Sequence, residues 1–213
     1  AHKGSHEGKP AVGVISLLNK SLTRWALMLV VVSMFGNFLL IPNLSAYIQF
    51  NLGFPRERIG ELYMIGGVAS LVGMQVTGYL TDRFGSLGTG TVVCLGLALV
   101  LWFGFMQQPD IALVPLIFAG FMVFSSARRV TQNALTSQTP EGHERAAYTS
   151  AQFAFQHVST GIAAVGSSWV LTADASGALQ GMVLLSTITL IFVLAQPVMM
   201  WILKRKLDLR PVS

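Results

Sequence analysis

The chain has 213 residues, of which 53% are hydrophobic and only 11% charged, and its mean hydropathy is +0.61. Soluble domains carry about 25% charged residues, so a soluble fold of this composition would lack polar side chains for its surface. The net charge of +5 does not indicate a nucleic-acid partner, because the basic residues form no stripe interleaved with aromatic residues. The composition predicts an integral membrane protein embedded in a lipid bilayer.

The sequence offers no pattern for catalysis or for a cofactor. The single cysteine, Cys94, lies in an apolar run and excludes an intrachain disulfide. His2 and His6 stand in a polar leader and are too few ligands for a metal centre. A nucleotide-binding loop, a nucleophile triad and a zinc pattern are all absent from the sequence. We predict no enzyme, no metal and no cofactor.

In chain order, the elements begin with a polar linker, residues 1–21, and end with a polar tail, residues 205–213. A helix needs about 20 apolar residues to cross a bilayer. Stretches with little or no charge therefore predict an all-α membrane protein with six transmembrane helices, at 22–50, 58–81, 88–107, 111–136, 146–172 and 179–204.

The basic residues predict the orientation of these helices. The side opposite the termini receives only Arg56 and Arg58, offset by Glu57 and Glu61. All other Lys and Arg fall on the side of the termini, so that side is predicted to be the cytoplasm. The leader "AHKGSHEGKP" has no initiating Met and no signal peptide, so we expect a fragment or one half of something longer.

A weak internal repeat relates the two ends of the chain. "FPRERIGELYMIGGVASLVG" and "TPEGHERAAYTSAQFAFQHVSTGIAAVG" each run from Pro through a charged turn into a helix rich in small residues. Their alignment pairs the first three helices with the last three, which predicts a 3+3 inverted repeat. The alternative is chance similarity between short apolar helices.

The stretch "GYLTDRFG" carries a family resemblance. It resembles the cytoplasmic signature loop of the major facilitator superfamily, G-x-x-x-D-R/K-x-G followed by basic residues. Gly78, Asp82, Arg83 and Gly85 match this pattern, whereas Ser86-Leu87 stands in place of the basic pair. The motif also falls between the second and third predicted helices, and the resemblance extends over residues 22–204.

The resemblance implies one half of a twelve-helix transporter that works by alternating access. The lost basic pair, the missing Met and the polar leader favour the C-terminal half, whose partner would be an N-terminal six-helix half. Helices one, two, four and five would face the cavity, and three and six would face lipid. "FPRERIGELY" and the glycine-rich helices resemble the bacterial efflux branch, which implies proton-coupled export of a small organic solute across a bacterial inner membrane. Proton-coupled uptake and a non-transporting scaffold or receptor are the alternatives.

The motif has a physical interpretation as a gate. Gly78 would permit close helix approach and Gly85 a tight turn. Asp82 could meet the positive N-terminus of a neighbouring helix, and Arg83 a second carboxylate or a helix C-terminus. Contacts that cross between halves would form only when the cytoplasmic side closes. The alternative is a solvated turn that obeys the charge bias.

Polar residues inside the predicted helices are further site candidates, because polar groups in hydrocarbon are costly. In the first helix they are Asn37, Asn43 and Tyr47, the last two on one face. The alternative is that these side chains form hydrogen bonds with backbone groups left unpaired at a kink caused by Pro42. In the fifth helix they are Gln152, Gln156 and His157, with His157 a candidate proton carrier. The alternative there is hydrogen bonding between helices.

The fourth helix holds the strongest candidates. Arg128 and Arg129 lie about 26 Å along the helix from Ile111. Adjacent positions differ by about 100°, so one arginine can face the cavity while the other extends towards the interface. Gln132 and Asn133 each follow an arginine by four residues. The pattern predicts a site for an anionic solute or a gate pair; the alternative is a basic helix end.

Overall fold

Six long helices run through the part of the chain that the computed structural model describes, residues 14–107 and 109–210. Two short α-helices and a small hairpin, β1 and β2, accompany them, with 3-10 and π-helical turns at several helix ends. Their bounds are α1 Val14–Leu18, α2 Ser21–Phe38, α3 Leu44–Ala46, α4 Ile59–Phe84, α5 Ser86–Leu101, α6 Val114–Thr136, α7 Arg145–Val170, β1 Thr172–Ala173, β2 Leu179–Gln180 and α8 Met182–Asp208.

Within residues 14–107 and 109–210, five helical stretches are long and apolar enough to cross a membrane. The sixth long helix, α7, has 26 residues but is not among them, because glutamines, a histidine, serines and threonines interrupt its apolar surface. The sequence predicted six spans, and five of these six meet both the length and the apolarity criterion. The five spans are Ser21–Asn51, Arg56–Phe84, Ser86–Met106, Ile111–Thr136 and Met182–Asp208.

The first span is continuous but changes helical type around Pro42. A 3-10 turn, Ile41–Asn43, follows α2, and a π-helical turn, Tyr47–Asn51, follows α3. Proline has no backbone N–H and cannot continue an α-helical ladder. The Asn43 side chain partly compensates by donating from Nδ2 to the carbonyl of Leu39 at 3.3 Å.

The connection between α4 and α5 is shorter than the sequence suggested. The predicted break at 82–87 reduces to one residue, because α4 continues to Phe84 and α5 begins at Ser86. Gly85 makes the turn with φ 84° and ψ 155°, a backbone conformation open almost only to glycine. The expected tight turn at Gly85 is therefore present in the structure.

The connection between α7 and α8 also differs from the prediction. Residues 179 and 180 were expected to begin the last helix but form β2, which pairs antiparallel with β1. Asp174 stabilises this hairpin, since its Oδ1 accepts the backbone N–H groups of Ser176 at 2.8 Å and Ala178 at 3.1 Å. At its other end α8 runs to Asp208, into the segment predicted as tail.

Helix packing leaves one side of the bundle open. α4 packs along α6, and α7 packs along α2. α5 and α8 pack against each other and close the far side of the bundle. α5 also packs against α6, and α8 packs against α2. Glycines permit the closest approach between α4 and α6: a Cβ on Gly66 would overlap Phe118, and one on Gly73 would overlap Val123. α4 and α7 flank the bundle without packing against each other, and α2 and α6 lie between them.

Candidate functional site

Polar side chains of α6 and α7 meet on the open side of the bundle. Arg129 and Asn133 are exposed on α6. Gln152 of α7 donates from Nε2 to Oδ1 of Asn133 at 3.4 Å, and Arg129 Nη2 lies 3.5 Å from Ser126 Oγ. Gln156, one helical turn after Gln152, is half-buried, and His157 is exposed. We call the set Arg129, Asn133, Gln152, Gln156 and His157 the polar face.

The neighbouring residues Arg128 and Gln132 lie on the opposite side of α6, inside the bundle. Both side chains are completely buried. Arg128 donates from Nη2 to the carbonyl of Ser33 on α2 at 2.9 Å, while its Nε and Nη1 have no partner in the described part of the chain. The sequence predicted that the two arginines would face different ways. The structure identifies Arg129 as the one on the open side.

Other buried polar atoms without hydrogen bonds belong to the same bundle core. Thr131, one turn from Arg128, and Met200 of α8 both contact Gly90 of α5. Gln196 lies one turn from Met200 on the buried side of α8. These polar atoms are the Oγ of Ser33 and Ser125, Oγ1 of Thr189, and both amide atoms of Gln132 and Gln196. Gln132 was a candidate from the sequence, whereas the others were missed, although polar residues recur on α8 at positions 186, 189 and 196.

The candidates on the first span bind other parts of the bundle. Asn43 donates from Nδ2 to Ser167 Oγ of α7 at 2.9 Å, and Tyr47 donates from its hydroxyl to the carbonyl of Gly104 at 3.1 Å. Tyr47 also stacks on Phe105, with ring centroids 5.1 Å apart. The two side chains were expected on one face of the helix; in the structure the helix changes type between them, and they contact different helical segments. Asn37 is buried on α2.

The motif Gly-x-x-x-Asp-Arg-x-Gly, residues 78–85, lies at the end of α4. Asp82 and Arg83 are exposed; Asp82 has no hydrogen bond or ion pair among the described residues, and Arg83 Nη1 lies 3.3 Å from the Tyr79 hydroxyl. Asp82 and Gly85 line a cavity of about 530 Å³ with the last turns of α6 and α8. The expected close approach at Gly78 is not found within the described chain, because a Cβ there would meet open space.

A charge cluster that sequence inspection missed ties three helices together next to this end of the bundle. Lys20, just before α2, donates from Nζ to Oε1 of Glu144 at 2.6 Å. Arg210, after α8, donates from Nη2 to Oε1 of Glu141 at 2.7 Å. Glu141 and Glu144 cap each other's backbone before α7. The spacing Glu-x-x-Glu in "PEGHERA" is the signal that could have revealed this capping box.

The ion pairs perturb the acidic and basic groups outside the spans. Burial raises the pKa of Glu144. The hydrogen bonds that its carboxylate accepts from Lys20 and from the backbone N–H of Glu141 outweigh this effect, so the pKa is lowered overall. The hydrogen bond from Arg210, with the nearby Lys20 charge, lowers the pKa of Glu141. The hydrogen bond to Glu144 raises the pKa of Lys20. All three groups are therefore held in their charged forms.

Comparison with protein families decides the family of the chain. The profile of the Major Facilitator Superfamily matches residues 2–164, more than half of the chain. The chain belongs to the Major Facilitator Superfamily. Comparisons with curated proteins and with solved structures gave no match. Members of this superfamily are membrane transporters, so the family and the five apolar helices together support an integral membrane protein with a transport function.

Proposed function

We propose that this superfamily member is the C-terminal half of a secondary active transporter that moves a small organic solute by alternating access. The observation that carries the proposal is the polar face. α7 is the one long helix in the described chain that lacks the apolarity of a membrane span, and its polar residues meet those of α6 on the open side. Polar groups exposed to hydrocarbon are costly, so this side faces water or a second half.

In this proposal α2, α4, α6 and α7 line the solute path, and α5 and α8 contact lipid. An N-terminal six-helix half covers the open side, and α2 to α8 form six membrane helices arranged as a 3+3 inverted repeat. The charge bias of membrane proteins supports a cytoplasmic location for both ends, because most basic residues lie on their side. The exposed apolar side chains of α5, such as Val92 and Leu95, suit contact with lipid.

Arg129 is the proposed contact for an anionic solute. Its guanidinium has a single long hydrogen bond to Ser126, so several donors remain for a carboxylate or phosphate. Asn133 and Gln152 offer amide groups beside it. Arg128 is unsuited to this role because it is buried on the core side of α6.

We propose proton coupling as the energy source of transport and export as its direction. His157 is exposed on α7, and an imidazole can both accept and release a proton. In the described residues every Asp and Glu lies near a helix end or in a connection. A carboxylate that carries the coupling proton would therefore belong to the N-terminal half.

The gate role of Asp82 is part of the same proposal. Asp82 is exposed and has no partner among the described residues, which leaves it available to the N-terminus of a helix in the other half. That contact would form when the cytoplasmic side closes and break when it opens. Arg83 would support it from the same turn.

Solute flux in the full-length protein tests the transport proposal. Arg129→Gln should lower the uptake or release of anionic solutes by at least about tenfold, the cost of one charge-assisted contact, and should affect neutral solutes less. Arg128→Gln is the matched control, with the same chemical change on the core side. Equal losses for both classes of solute would refute the anion contact, and flux catalysed by this chain alone would refute the half-transporter proposal.

A further inference from the structure

A basic cavity opens where α2 begins and α8 ends, outside the polar face. Its volume is about 440 Å³, within the range of small-molecule sites. Side chains from α2, from the connection between α6 and α7, and from the end of α8 line it. Three of its lining residues are cationic and one is a carboxylate. The residues on which the inference rests are Lys20, Ser21, Thr139, Glu141, Lys206 and Arg210.

The surplus positive charge of this basic cavity is concentrated at Lys206. Glu141 is paired with Arg210, and Lys20 is paired with Glu144. Lys206 forms no ion pair with any residue that the structure describes; its Nζ lies 3.5 Å from Ser21 Oγ. An ammonium group without a carboxylate partner, next to a cavity, favours an anionic ligand.

The first turn of α2 adds hydrogen-bond donors to the same cavity. Lys20 is the N-cap residue of this 18-residue helix, which has no side-chain cap and no acidic residue in its first turn. The first N–H groups of a helix have no intrahelical partner and carry partial positive charge, so they bind anions readily.

Thr139 borders the basic cavity beside Arg210. The residue is 3% exposed, and its hydroxyl, Oγ1, has no hydrogen bond of standard geometry. Its backbone carbonyl accepts from Arg210 Nη1 at 3.1 Å, which holds the residue against the cavity. The Thr139 hydroxyl itself interacts with the Tyr148 hydroxyl of α7, so Thr139 contributes its position at the cavity rather than a free donor.

The position of the basic cavity indicates the chemical class of its ligand. Lys206 lies over the ring of Trp25 at 6.0 Å, and Arg205 lies over the ring of Trp201 at 4.2 Å. Tryptophans with cationic residues mark the membrane–water interface, the level at which lipid phosphates lie. We propose that the basic cavity binds the phosphate of an anionic phospholipid headgroup through Lys206 and the first N–H groups of α2.

A thermal-shift titration tests this inference on the purified full-length protein in neutral detergent. Phosphatidylglycerol should raise the melting temperature saturably, because a ligand that binds only the folded state stabilises it. Phosphatidylcholine, whose headgroup has no net charge, should give a clearly smaller shift. Equal shifts for the two lipids would overturn the inference. A shift with inorganic phosphate as large as that with phosphatidylglycerol would overturn the lipid assignment.

Two lysines on the last turns of α8 supply a matched pair of variants. Lys206→Gln should weaken the apparent affinity for phosphatidylglycerol about five- to tenfold, and Lys206→Arg should restore most of it. Lys204→Gln removes the same charge two residues away and does not line the basic cavity, so it should leave the affinity unchanged. Equal weakening by Lys204→Gln and Lys206→Gln would show a diffuse charge effect and overturn the site. The melting temperature without lipid reports whether each variant is folded.

Discussion

Arg128 and Arg129 are adjacent in the chain but lie in opposite environments. Arg128 reaches across the core to the Ser33 carbonyl at 2.9 Å and is fully buried, whereas Arg129 is exposed on the open side of the bundle. The described residues provide no carboxylate partner for Arg128. The two guanidinium groups therefore have separate consequences, Arg128 for stability and Arg129 for the proposed contact with an anionic solute.

Replacing Arg128 by methionine is expected to leave the fold intact. A buried charge without a counter-ion costs several kcal/mol, and apolar side chains of similar volume replace such charges at no cost or with a gain. Arg128→Met should therefore show a melting temperature equal to or above that of the unmodified protein. Arg128→Ala, which opens a cavity, should be less stable by about 2 kcal/mol or more. A Met variant as unstable as the Ala variant would mean that Arg128 has a partner outside the described residues.

The two glycines of the gate motif should respond in opposite ways to alanine. Gly85→Ala forces a side chain into a conformation with φ 84° and should cost about 1–3 kcal/mol in the free energy of unfolding. Gly78→Ala adds a methyl group in open space on α4 and should be neutral or stabilising by up to about 1 kcal/mol. Thermal unfolding of both variants measures the difference. Destabilisation by Gly78→Ala would reveal a close contact with a part of the protein outside the described chain.

The pair formed by Lys20 and Glu144 should stabilise the protein only while both groups are charged. The lowered pKa of Glu144 makes its contribution complete above the unfolded value of about 4.3, and this contribution is lost as the pH falls through the lowered pKa. The raised pKa of Lys20 makes its contribution complete below about 10.4, and it is lost as the pH rises through the raised pKa.

A double-mutant cycle with Lys20→Met and Glu144→Gln should give a coupling energy of about 1 kcal/mol at neutral pH, a small value because the Lys20 side chain is 45% exposed. The coupling should vanish well below pH 4. A coupling that persists at that pH would show that the contact does not depend on the Glu144 charge.

Asp82→Asn should reduce solute flux in the full-length protein without changing stability. The side chain has no partner in the described residues, so its loss costs this part of the fold little, while the proposed gate contact requires the negative charge. Asp208→Asn is the matched control, because Asp208 lines the same cavity at the end of α8 but lies outside the motif. Unchanged flux in Asp82→Asn, or an equal loss in Asp208→Asn, would remove the gate role.

The sequence predicted the fold where apolarity and length were decisive. Runs of apolar residues located five spans to within a few residues, and the pattern Gly-x-x-x-Asp-Arg-x-Gly led to the correct family. It also indicated that Arg128 and Arg129 face different ways, because helix geometry separates neighbouring positions. Which arginine faces the core could not be predicted, since that depends on how α2 and α8 pack against α6.

Other features depend on contacts that are distant in the chain. The ion pair between Lys20 and Glu144 joins residues 124 positions apart, and no local pattern encodes such a pair. Asn43 and Tyr47 share a face only in a regular helix, and the change of helical type after Pro42 separates their partners. The hairpin between α7 and α8 depends on Asp174 accepting backbone N–H groups within a loop, which the apolar pattern did not reveal.

The central claim, that the polar face lines an aqueous path, is tested most directly by cysteine accessibility in native membranes. Cys94 is buried. Cys94→Ala, together with replacement of any cysteine elsewhere in the full-length protein, gives a thiol-free background into which single cysteines are placed at Asn133, Gln152 or His157. Val92, exposed on α5 and proposed to face lipid, is the control position. A membrane-impermeant maleimide should label the three polar-face cysteines and leave the cysteine at position 92 unmodified. Polar-face cysteines as unreactive as the one at position 92 would contradict the account.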